Sequence, residues 1–435
     1  MCWLATFLAL CILKHTRNVP SVLLSVQRLK REDKHMLIYE YKVAGTKQQY
    51  TAIEEAIRVA QFIRNKCIRL WMDVRGTSRN DLQCYCSVLA AEYSFAASLN
   101  SQARQASADR AWAAISRFYD NCKHHKPGKK GYPRFQHDNR SVEYKQTGWR
   151  IEPDGKHLSF TDGCGIGRVR LVGNKKQSVE TFPTKQIKRV RIVRRADGYY
   201  CQIAVEAEKH IEHIPTGKHM GIDMGLKAFL TDSDGNTVGN PRHVRKAEKR
   251  LKKLHRRLSR TQKQSANHKK ARKTLAKAYL KVQRQREDFA RKTASTLVTS
   301  SDFIAYEHLQ IRNLVKNRKL AKSISDASWG RFLSWLTYYG VMHGISVVAV
   351  EPAYTSQDCS ACDTRVKKSL SVRTHICPKC GLVLDRDHNA ALNILTQAYR
   401  TVGHTGTGRE QSLRNASGQS TSTRLSAKKT GKRTG

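Results

Sequence analysis

Two cysteine pairs constrain this chain more than any other feature. Cys359-x-x-Cys362 and Cys377-x-x-Cys380 are separated by fourteen residues. That interval lies just under the usual zinc-ribbon spacing and fits a closed tetrahedral Zn2+ site of four thiolates; two redox pairs or coincidence are the alternatives. Gly381 suits the tight turn after the second pair. Asp363 holds the matching place after the first, and Asp tolerates left-handed backbone better than most residues. Four sulfur ligands leave no open coordination position, so the zinc is structural and chemistry must lie elsewhere. The other eight cysteines (Cys2, Cys11, Cys67, Cys84, Cys86, Cys122, Cys164 and Cys201) show no regular spacing, which disfavours a disulfide framework.

The second pair runs directly into "CPKCGLVLDRDHNAALNIL". A structural zinc knuckle does not need Asp385 and Asp387 behind it. Two other acids stand where the backbone would hold them rigidly. Asp223 lies in "GIDMG", and Glu307 ends the apolar run "FIAYE". Each has a structural reading on its own: a turn cap, a strand-edge acid, a helix N-terminal acid favoured by the macrodipole. Taken together, they match a geometry. In an RNase H-like sheet, acids from the first strand, a later parallel strand and a final helix converge at one edge. Three carboxylates in one place repel unless divalent cations share the space. Mg2+ takes a few carboxylates plus water and phosphate oxygens, and a pair of such ions drives phosphodiester hydrolysis.

Charge names the substrate class. Lys and Arg number 80 and Asp and Glu 35, a formal net charge of +45. An enzyme of small molecules gains nothing from that self-repulsion, whereas each phosphate a cation neutralises releases counterions. The charge is spread along the chain and not gathered in one amphipathic segment, which argues against a membrane partner. The apolar start "MCWLATFLALCIL" is too short to span a bilayer and lacks the basic region of a secretory signal. Signal peptide, packed apolar terminus and translated upstream sequence all compete for it. The last is preferred, because "MLIYEYKVAG" from Met36 looks like a natural first strand.

Organisation follows from periodicity. Residues 1–35 read as an extension outside the fold and 36–50 as the first strand of a β unit. Residues 51–121 are helical, opened by a Thr51-x-x-Glu54 capping pattern. The basic "KPGKKGYPRFQ" is a loop, and 122–215 is a small β-barrel or sheet with a hairpin at Asp197-Gly198. Residues 216–354 hold strands ending at Asp223 and Glu307 and a basic helical hairpin at 241–300. The knuckles occupy 355–382, a final helix 383–400, and a disordered Gly/Ser/Thr/Lys tail 401–435. The fold class is α/β multidomain.

The motifs "GIDMGLKAFLTDSDG", "IAYEHLQIRNL", "YTSQDCSAC" and "CPKCGLVLDRDHNAALNIL", with "GYPRFQ" in the first half, resemble the TnpB family. These are transposon-encoded, RNA-guided DNA endonucleases related to the compact type V CRISPR effectors. The resemblance covers about residues 36–400. It implies a split RuvC (RNase H-like) nuclease with an inserted zinc ribbon, a helical recognition region and an N-terminal β-barrel wedge. The family's three acids carry over to Asp223, Glu307 and Asp387 as ligands of catalytic Mg2+, two ions in that family's scheme. Asp387 is chosen over Asp385 because it holds the D-x-N-A-A position. The partners implied are a guide RNA and a double-stranded DNA target, with a protein-read motif beside the target. A monomer on its RNA, acting in a prokaryotic cytoplasm without a membrane, is expected. A guided DNA-binding repressor that does not cut and a strand-transferring transposase are the rival functions.

Overall fold

The computed structural model describes residues 35–173, 183–207, 211–369 and 371–403. The N-terminal extension and the tail beyond 403 lie outside the described residues. Contacts divide the chain into two units, residues 32–209 and residues from 210 onward.

In the first unit, strand β1 (His35–Ala44) stops at Gly45, and α1 (Lys47–Asp73) starts immediately. The Thr46 hydroxyl accepts from the Gln49 N–H, and the Gln49 side chain accepts from the Thr46 N–H. The cap therefore sits where the strand ends and the first unpaired helix N–H groups need it. This corrects the expected opening at Thr51-x-x-Glu54. Thr51 already lies inside the helix, with its hydroxyl on the Lys47 carbonyl, and Glu54 instead accepts from Arg194 and Tyr199. Ile53, Ile57, Ala60, Ile63 and Cys67 recur at helical steps and are all buried. They pack with α2 (Arg79–Glu92) and α3 (Ser101–Lys123).

The same core covers an antiparallel sheet. Its strands after β1 are β2 (Ser141–Tyr144), β3 (Trp149–Ile151), β4 (His157–Phe160), β5 (Arg168–Val172), β6 (Ile187–Arg195) and β7 (Gly198–Ala207). The order is β2-β6-β7-β1-β5-β4-β3. The β6–β7 hairpin forms as the sequence indicates, with Arg195 paired to Gly198. β1 lies between β7 and β5, so the strand read from "MLIYEYKVAG" belongs to this sheet.

The second unit is built on β8 (His219–Asp223), β9 (Ala228–Asp232), β10 (Thr237–Gly239), β11 (Phe303–Glu307) and β12 (Ser346–Val350), in the order β10-β9-β8-β11-β12. β8, β11 and β12 are parallel, whereas β9 and β10 are antiparallel additions. Parallel strands need crossovers. The first contains the basic hairpin of α4 (His243–Ser259) and α5 (Ala266–Thr299), and the second contains α6 (Trp329–His343). A short ladder, β13 (Thr374–Ile376) with β14 (Val383–Asp385), precedes α7 (Arg386–Val402).

Side chains along a strand alternate between faces. Met220, Ile222 and Ile304 join Ala290, Ala294 and Leu297 of α5 and Phe332 and Leu336 of α6. Phe303, Ala305, Val348 and Val350 instead meet Ile394, Leu395, Ala398 and Tyr399 of α7. Helices thus cover both faces of the sheet, which is why its central strands read as continuous apolar runs. α7 lies so close to β8 that a Cβ on Gly221 would come 2.1 Å from the Ala391 carbonyl oxygen. Only glycine fits there. Among the described residues no helix is long and apolar enough to cross a membrane.

Candidate active site and metal centre

Residues 219, 221 and 223 face the same side of β8, and 303, 305 and 307 the same side of β11. That side is covered by α7. Tyr306 pairs with Ile222, so Asp223 and Glu307 are the next residues on adjacent parallel strands. α7 begins beside them, with a carboxylate oxygen of Asp387 4.0 Å from the Cβ position of Gly225. The three acids picked from the sequence therefore meet at the C-terminal edge of the sheet.

Electrostatics records this meeting. Burial, then the charges of Glu307 and Asp387, push the Asp223 carboxyl up to about 8. Burial also raises Glu307, which is 8% exposed, and a hydrogen bond from the Thr355 hydroxyl partly offsets the rise. Asp387 has different company. Arg373 reaches both of its carboxylate oxygens at 3.2 Å, and the Arg386 guanidinium stands 3.7 Å away. With Asp387 drawn toward these cations and the carboxylates repelling one another, the three acids do not form a tight ligand cage. Among the described residues only the four cysteines bring their ligand atoms within 4.8 Å of one another.

Asp385 has a definite position. It is the N-cap of α7, and its side chain accepts the Asp387 N–H at 2.8 Å. It fixes the helix start that carries Asp387.

The cysteines form two copies of one knuckle. The Cys359 N–H donates to Thr364 and the Asp363 N–H to Cys359; the Cys377 N–H donates to Leu382 and the Gly381 N–H to Cys377. Asp363 (φ 58°) and Gly381 (φ 71°) take the same left-handed conformation. The sulfurs of Cys359 and Cys380 lie 3.6 Å apart, as do those of Cys362 and Cys377. A tetrahedral zinc–thiolate site has S···S edges of about 3.8 Å. The cysteine cluster is thus shaped to hold a metal such as zinc.

The sequence reading missed the link between knuckles and helix. Asn389, fully buried, accepts from the Ser360 N–H and donates to the Asp358 carbonyl. Asn393 donates to the carbonyls of Thr355 and Asp358. The two asparagines, one helical turn apart, fasten α7 to the first knuckle. Arg373 was also missed; its signal was a lone basic residue just ahead of the second cysteine pair.

A family model described as a probable transposase, OrfB_IS605, matches residues 202–318, and a Cas12f1-like TNB domain model matches residues 329–394. A protein of Streptomyces pristinaespiralis is 42% identical over 40% of this chain and 44% of its own length. One of Escherichia coli K12, InsQ, is 27% identical over 62% of this chain and 69% of its own length. Both carry the name "Putative RNA-guided DNA endonuclease". The chain thus spans less than half of the first relative. In fold it is similar to the protein in a cryo-EM structure of a Cas12f1–sgRNA–target DNA complex, with a TM-score of 0.50 at 13% identity over 80% of this chain and 81% of that one. The mixed α/β fold is similar to that of compact Cas12 effectors. One family model spans Asp223 and Glu307 and the other spans the cysteine knuckles and Asp387, and the chain is similar to the TnpB family.

Proposed function

We propose that this protein is an RNA-guided, metal-dependent endonuclease that cuts DNA beside a short protein-read motif and is associated with a transposable element. The observation that carries the proposal is the convergence of Asp223, Glu307 and Asp387 on one sheet edge. The names of the relatives agree with it, as does the formal charge of +45.

In this reading residues 216–354 and 383–400 make a RuvC-like nuclease and 355–382 its zinc ribbon. Residues 51–121 are a recognition region, and the sheet of the first unit is the wedge. The strand order β10-β9-β8-β11-β12, with β10, β9 and β8 paired antiparallel and β8, β11 and β12 paired parallel, supports the RNase H-like assignment. The acids fit divalent cations. A carboxyl pushed up to about 8 by burial and two like charges is one that a cation would return to its ionised form.

Asp223, Glu307 and Asp387 would hold Mg2+, which when bound supplies an activated water and stabilises the leaving oxygen. The chain's own residues set the geometry. Thr355 orients Glu307. Asp385 fixes the first turn of α7 and so the height of Asp387. Arg373 is placed to leave Asp387 for a phosphate oxygen, because a guanidinium forks onto phosphate as readily as onto carboxylate. The exposed cations of α4 and α5 and of the 126–136 loop hold nucleic acid through its phosphates.

Sequencing the RNA that co-purifies with the full chain tests the guide. One discrete species ending in a segment matched to the target is expected. A heterogeneous mixture of host RNA, or none, contradicts the reading.

A further inference from the structure

The segment leaving β12 carries an aromatic side chain that the foregoing chemistry does not use. β8, β11 and β12 are parallel and end at one edge, where Asp223 and Glu307 stand. β12 ends at Val350, and Tyr354 follows within the next turn, immediately before the Thr355 that bonds Glu307. The N–H groups of Gln357 and Asp358 both donate to the Tyr354 carbonyl, closing a turn that places its side chain at the surface.

Tyr354 is unusual in two independent ways. Its backbone is left-handed, with φ 61°, a conformation that is strained for an aromatic residue. Its side chain is nonetheless 51% exposed, so burial does not hold it there. The Arg365 guanidinium lies 3.6 Å from the ring centroid. Arg365 is itself pinned by Asp358, Nε to Oδ1 at 2.8 Å and Nη2 to Oδ2 at 3.3 Å. A flat cation and a flat ring are thus fixed together, half open to solvent, beside the acidic edge. Such a surface accepts any base, because every base has a π-face, and the cation favours a strand carrying phosphates.

We infer that Tyr354 and Arg365 form a stacking platform for an unpaired nucleobase of the DNA strand delivered to Asp223, Glu307 and Asp387. The inference rests on the nuclease reading above and deepens it: one unpaired base of the strand reaching the acids is held on the ribbon side of the site, by Tyr354 and Arg365. Both are positioning residues.

The test uses the full chain with its co-purified RNA and Asp387→Ala to prevent cutting. The probe is a short oligothymidylate carrying one 2-aminopurine, titrated by fluorescence. Binding with a quenched 2-aminopurine signal is expected. Tyr354→Ala weakens binding about tenfold and removes the quench, whereas Tyr354→Trp restores both. Arg365→Lys, which keeps the charge but loses the planar face, also weakens binding. Unchanged affinity in Tyr354→Ala, or a loss that tryptophan does not restore, overturns the inference. If the wild-type chain cuts its guided target while these variants bind the probe alike, only the platform is lost and the nuclease reading stands.

Discussion

Asp223→Asn is expected to abolish DNA cleavage and, in the metal-free protein at pH 8, to raise the melting temperature. The two effects have one cause. Asp223 is held by burial, Glu307 and Asp387 at about 8, against an ordinary value of 3.8. Between these values the folded chain binds a proton that the unfolded chain has released, so stability falls as pH rises from about 4 to about 8. The slope from this group is on the order of 1.4 kcal/mol per pH unit at most. Asparagine carries no charge and removes that slope. Added Mg2+ reverses the order: it stabilises wild type by ligating the ionised carboxylate, does less for the variant, and binds wild type more tightly as pH rises toward 8. Thermal melts at pH 5 and pH 8, with and without Mg2+, read all of this. A variant that melts below wild type at pH 8 without metal contradicts it.

Cys377→Ser is expected to lose the bound zinc and to lower cleavage by more than tenfold while leaving guide RNA in place. A closed thiolate site contributes its binding energy to folding. The consequence reaches the acids because Asn389 and Asn393 tie α7 to the first knuckle. With the knuckles loosened, the buried Asn389 amide loses its backbone partners, and Asp387 moves with the helix start. Zinc content by elemental analysis, melting temperature and cleavage rate should fall together. Unchanged zinc stoichiometry removes the ribbon from the account; lost zinc with full cleavage removes the coupling.

The parts of this fold that show in the sequence are those with a strict local period or a fixed ligand spacing. The stripe of α1, the hairpin at Asp197-Gly198, the apolar strands ending at Asp223 and Glu307, and the knuckle turns at Asp363 and Gly381 are of this kind. The start of α1 was misread because Thr51 and Glu54 satisfy a capping pattern as well as Thr46 and Gln49 do. Only the end of β1 at Ala44 decides between them. The candidate site was legible in its acids and not in its supports. Asp385 at the helix entry is a local signal that the structure bears out as an N-cap, whereas Arg373 on Asp387 and Thr355 on Glu307 are contacts between residues distant in sequence that no period announces.

The central claim is that a guide directs these three acids to cut DNA. The most direct measurement is cleavage of a supercoiled plasmid bearing a target matched to the co-purified RNA, with Mg2+, by wild type and by Asp387→Ala. Linearised plasmid from wild type only, with both proteins retaining RNA, is the predicted result. A wild-type chain that binds the matched plasmid and never cuts it, or an Asp387→Ala variant that cuts as wild type does, contradicts the account.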